Sequence, residues 1–171
     1  MPVWPYTLAT RIVHYGRYGS GGDEGRLAPL YIGYPTLVRG YDVNSFDAGE
    51  CGPTTDGSCP VFDQLLGSRL LVGNLELRFP LIGAFGGRNP YGRVPIELFG
   101  FADTGVAWTG GDRLNLFGGS RAAGQRRRVS SVGGGARINV LGYAVLEIDY
   151  VRPLDRPGKH SPWQVNLAPG F

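Results

Sequence analysis

Apolar and polar residues alternate with a period of two along most of the chain, which marks β-strands with two unlike faces. Over 67–80, Leu71, Leu75, Leu77 and Phe79 share one face with Gly73, and Val72, Asn74, Glu76 and Arg78 share the other. Residues 95–109 set Ile96, Leu98, Val106 and Trp108 against Glu97, Phe99, Phe101 and Asp103. Residues 129–141 set Val132, Ala136, Ile138 and Val140 against Ser131, Gly133, Gly135, Arg137 and Asn139. In 143–153, Leu146, Ile148 and Tyr150 oppose Glu147 and Asp149; in 162–171, Trp163, Val165, Leu167 and Phe171 oppose Gln164, Asn166 and Gly170. The first strand, about 6–17, places Tyr6, Leu8 and Ile12 opposite Arg11 and Arg17.

These strands run to about 10–15 residues, where roughly 5–6 is usual in a soluble sandwich and about 9–11 cross a bilayer at a tilt. The connections alternate too: 18–66 and 110–128 are long or charged, and 141–143 is very short. Long loops on one side and short turns on the other are the habit of outer-membrane barrels, a rule from which the Gly-rich stretch 80–94 departs. The polar face gathers Arg11, Arg78, Arg137, Glu76, Asp103, Glu147 and Asp149, roughly balanced in sign and spaced by Gly, Ser and Asn. That suits a crowded polar lumen, and the aromatic residues near strand ends (Trp4, Tyr6, Trp108, Tyr150, Trp163, Phe171) suit interfacial girdles. The pattern therefore predicts an all-β chain: a single transmembrane antiparallel up-and-down β-barrel over 1–171, with a long extracellular or lumen-directed loop within 18–66. A soluble β-sandwich with a solvated polar face is the competing reading.

Composition narrows this further. The 29 glycines and the 9 Tyr, 8 Phe and 3 Trp agree with β-structure, and a net charge of +3 is too mild to imply a nucleic-acid partner. No apolar run reaches the length of a membrane-spanning helix and mean hydropathy is −0.10, which excludes a helical membrane protein and leaves a barrel open. The opening MPVWPYTL has neither the basic nor the apolar region of a secretion signal, so a mature or excised segment is expected. Six strands are clear, whereas single-chain barrels start at eight. Residues 27–34, with Leu30, Ile32 and Tyr34 on one face, and 37–46 are the candidates for the missing pair, although Gly40 and Asp42 would then face lipid. Eight strands are expected; the alternative is six per chain, two chains closing a twelve-stranded homodimer.

Candidate chemistry is sparse. TLVRGYD (36–42) buries the question of what partners Arg39, since a guanidinium is rarely left alone. CGPTTDGSC brings Cys51 and Cys59 close in sequence; a disulfide there stabilises by roughly 2–3 kcal/mol and implies an oxidising compartment. A metal site needs more ligands, and no His is near, so neither metal nor cofactor is expected. His14 falls on the face of Leu8 and Ile12, and His160 lies in DRPGKHSP; neither sits beside a nucleophile, so no enzyme is expected. RAAGQRRR carries Arg121, Arg126, Arg127 and Arg128 in a long loop: either solvated cations, or contacts for phosphates of outer-leaflet glycolipid.

VRGY at 38–41, LEL at 75–77 after GN, FADTGVAW at 101–108, GGGARINV at 133–140 and a terminal aromatic occur in that order. In this order the set resembles the C-terminal part of the BamA-type outer-membrane assembly barrels, the bacterial surface antigen family that includes TamA and the two-partner-secretion transporters. The resemblance runs from about residue 6 to the end. It implies that Arg39 sits at the tip of a loop folded into the lumen, against Glu76, Phe101 and Asp103, although in an eight-stranded barrel it would face inward from a strand. It also implies that Trp163, Val165, Leu167 and Phe171 form the C-terminal sorting signal read by the barrel-assembly machinery. The function implied is outer-membrane protein assembly or translocation, with outer-membrane lipid and client barrels as partners. The family's periplasmic repeats are absent from this chain, so the alternative is a small structural, adhesive or narrow-pore barrel without insertase activity.

Overall fold

The computed structural model describes residues 2–3, 6–51, 57, 59–81, 96–115, 125–140, 143–156 and 163–169. Six long strands form one antiparallel sheet: β1 (Tyr6–Gly16), β2 (Arg69–Pro80), β3 (Ile96–Trp108), β4 (Val129–Val140), β5 (Ala144–Pro153) and β6 (Trp163–Pro169). Each pairs with the next in the sequence, and the two-residue strand Pro2–Val3 folds back on the start of β1. The alternating pattern thus finds its strands, with ends trimmed by a residue or two. The fold is all-β in character, and the described sheet is not closed into a barrel.

Register turns the predicted faces into continuous ones. Rows such as Arg11, Asn74, Asp103 and Ser131, or Ala9, Glu76, Phe101 and Gly133, run across β1 to β4 on one side. Glu97, Arg137, Glu147 and Asn166 continue that side across β3 to β6. The opposite side carries Leu8, Ile12, Leu75, Leu77, Val132, Tyr150, Trp163, Val165 and Leu167, all exposed.

The loop between β1 and β2 lies across the charged side. Its Ile32, Val38, Tyr41 and Leu65 pack with Leu70, Val72, Ala107 and Val129 at the upper end of that face, and this is the principal core. Gly105 makes room for it, because a Cβ there would meet the side chains of Ile32 and Val38. Residues 27–34 and 37–46 do not supply an extra pair of long strands. Only Leu30–Tyr31 is extended, in a short ladder with Leu66–Gly67, and Val43–Ser45 is a 3-10 turn capped by the Asp42 carboxylate. The reason is local: Gly40 has φ of +85°, outside any strand, and reverses the chain after Arg39. Arg39 therefore reaches the sheet from a folded-back loop and not from an added strand. Cys51 and Cys59 form a disulfide within the same loop. The Gly-rich stretch over 82–95 lies outside the described residues.

Candidate functional site: an arginine-carboxylate network under the loop

Arg39 descends from the loop onto the middle of the sheet. Its Nε and Nη2 donate to Asp103 Oδ2 and Oδ1 at 2.7 and 3.0 Å, a bidentate fork. Nη2 also lies 3.0 Å from Glu76 Oε1, and Nη1 lies 3.8 Å from Glu147. The guanidinium stacks on Phe101 with its central carbon 3.5 Å from the ring centroid. Arg39 is 5% exposed, Glu76 8% and Asp103 2%, so the cluster is removed from solvent. Asn74, beside Asp103 on β2, donates to its Oδ1 and to the Leu37 carbonyl, which ties the wall to the loop a second time.

A second guanidinium extends the network below the first. Arg137 makes two hydrogen bonds to Glu76, at 2.9 and 3.0 Å, and one to Glu147, and sits over the Phe99 ring at 4.1 Å. Arg78 bonds Glu76 Oε2 at 2.7 Å. Glu76 thus serves three arginines, and the four residues expected to meet (Arg39, Glu76, Phe101, Asp103) do meet. Arg11 shares the face but ends in neutral partners, Asn74 Oδ1 at 3.0 Å and the Thr36 carbonyl. Asp149 is wholly buried, and among the described residues neither of its oxygens has a hydrogen-bond partner within bonding geometry.

A third anchor escapes the sequence. Arg156, 2% exposed just beyond β5, donates to Glu50 at 2.8 and 2.7 Å, to the Gly40 carbonyl at 2.8 Å and to Ser45. It stacks on Phe46 at 3.8 Å. Beside it, the Tyr41 hydroxyl donates to the Ser130 carbonyl at 2.8 Å, and Asp155 accepts from the Ser130 amide at 2.7 Å. Burial, followed by the nearby Asp155 carboxylate, raises the Tyr41 pKa. The disulfide follows Glu50 by one residue and brings Cys59 and the Pro60–Asp63 helical turn alongside, so that Phe62 meets Phe46 and Tyr31.

The remaining expected residues divide. Trp163, Val165 and Leu167 are exposed on the outward face of β6, and Phe171 lies outside the described residues. Arg121 also lies outside them. Arg126 is not a free loop cation: it bonds Asp112 at 2.9 Å and the Asp63 carbonyl at 2.7 Å. Arg127 is half-buried and Arg128 exposed. Chemically, the network is a set of matched charges that locks a loop to a sheet; His14 bonds the Leu70 carbonyl and Tyr18 and stacks on Trp108, away from the network.

No protein-family model, curated protein or solved structure matches this chain.

Proposed function

We propose that the chain is a bacterial outer-membrane β-barrel domain of the kind the BamA-type resemblance implies, serving outer-membrane protein assembly or translocation, with its loop docked inside the barrel. One observation carries the reading: the sheet is inverted relative to a soluble protein. Ile12 is 82% exposed and Leu167 72%, while Asp103 and Arg39 on the other face are almost wholly buried. In water this arrangement wastes the apolar surface; in a bilayer that face meets lipid and the charged face is the lumen. Open strand edges do not persist in hydrocarbon, so the barrel closes with further strands or a second copy.

Insertion is tested by refolding the chain into vesicles and washing with alkaline carbonate: retention with the vesicles supports the reading, and extraction ends it. The assembly role has its own test, the folding rate of a client barrel in liposomes with and without this protein. Acceleration supports it. A rate that does not change leaves the passive structural barrel, a reading that the loop-filled polar face also favours.

A further inference from the structure

The loop and its network do not fill the charged side of the sheet. A cavity of about 480 Å³ remains beside Pro35 and Thr36 of the loop. Ala9 and Arg11 of β1 line it from one edge of the sheet, and Val145 of β5 and Asn166 of β6 from the other. Among the described residues these two edges do not pair with each other. Thr10 and Leu167 belong to the outward face by alternation, yet they line the same cavity. The cavity therefore passes between the edges of β1 and β6, from the charged side to the outward face, where Leu8, Ile12 and Val165 are exposed.

The charge it offers to a guest is positive. Glu76 and Glu147, the carboxylates in its lining, have side chains only 10% and 20% exposed and are engaged by Arg39 and Arg137. Arg78 is more open, at 36%, and shares Glu76 with those two. Arg11 is exposed and has no carboxylate partner among the described residues. Its Nε and Nη2 donate to Asn74 Oδ1 and the Thr36 carbonyl, which leaves Nη1 for a guest. Between Arg11 and Arg78 the register places Ala9, whose methyl group keeps the space open. A ligand that suits both ends is amphipathic: an oxyanion for the guanidiniums, which match phosphate, and an apolar tail for the gap.

We infer that this cavity takes the phosphate of a glycerophospholipid against Arg11 and Arg78, with the acyl chains leaving between Thr10 and Leu167. The inference rests on the outer-membrane reading above, which puts lipid at that gap. A soluble phosphate ester offers the same anion without the chains, and the experiment separates the two.

The test is native mass spectrometry of the refolded, detergent-solubilised full chain with phosphatidylglycerol, diacylglycerol or glycerol 3-phosphate. Phosphatidylglycerol should be held about tenfold more tightly than either of the others, one lacking the phosphate and the other the chains. Arg11→Gln should weaken its retention about tenfold, as loss of a charge-assisted contact predicts. Ala9→Leu, which fills the space between the two arginines and keeps both, should weaken it as well. Arg152→Gln, which removes an exposed cation outside the cavity, should not. Undiminished binding by Ala9→Leu, or equal loss in Arg152→Gln, reduces the effect to surface charge and overturns the site. Equal binding of diacylglycerol overturns the phosphate contact, and equal binding of glycerol 3-phosphate overturns the lipid. A chain that retains phosphatidylglycerol poorly yet resists carbonate extraction refutes this inference alone, whereas one that fails to enter vesicles refutes the membrane reading beneath it.

Discussion

Arg39 is the residue on which the loop turns. Its fork to Asp103, its contact with Glu76 and its stack on Phe101 are all buried. Removing one partner of such a cluster leaves uncompensated charge and costs on the order of 3–5 kcal/mol. Arg39→Ala is therefore expected to lower the temperature at which the folded band converts on a heat-modifiability gel. Arg39→Lys should recover little, because an ammonium cannot make the fork or the flat stack; full recovery by Lys would show that charge alone matters. Tyr41 supplies a pH dependence. Its folded pKa is raised, so its contribution is complete below the unfolded value near 10 and is lost as pH rises through that value toward the folded one. Stability should fall above about pH 10, and fall less steeply in Tyr41→Phe; parallel curves for the two proteins would remove Tyr41 from the account. At this scale the sequence was legible only in part. Strand alternation puts Glu76, Phe101 and Asp103 on one face, and the VRGY resemblance brings Arg39 to them. Arg156 and Glu50 stand 106 residues apart in irregular segments, where no periodicity points from one to the other.

Among the elements, the strands were readable because their two faces differ so sharply, and the loop was not. Its course depends on a reversal at Gly40, on apolar residues without a regular period, and on a clearance at Gly105 that only the packed structure reveals. The expectation of two more strands within 27–46 failed there: side-chain alternation over a few residues was outweighed by the apolar contacts of Ile32, Val38 and Tyr41 with the sheet. The disulfide belongs to this level. It joins Cys51 to Cys59, next to the Glu50 that Arg156 holds, so it secures the far half of the loop while Arg39 secures the near half. Replacing both cysteines by Ser should cost roughly 2–3 kcal/mol. It should also raise protease cleavage and hydrogen exchange over 42–63 more than over 36–41. Uniform loosening of the whole loop would show that the two anchors are one unit.

For the whole molecule, the two readings of the sheet assign opposite values to the same surface. If the chain lived in water, Leu75, 45% exposed on the outward face, would be a place where a charge is harmless or even favours solubility. In the proposed bilayer setting it faces hydrocarbon near the middle of β2, where an arginine costs about 2–4 kcal/mol. Leu75→Arg is therefore expected to reduce the yield and urea resistance of the chain folded into vesicles. The depth dependence supplies the control, since an arginine is already present at Arg152, near the long-loop end of β5. Adding one at Trp163, which is exposed and begins β6 at the same end, should cost far less than at Leu75, within about 1 kcal/mol of neutral near an interface. A soluble sheet has no reason to distinguish middle from end, so equal, negligible effects at the two positions would count against the membrane. A large loss at Leu75 alone would locate hydrocarbon against that face by the sheet's own response.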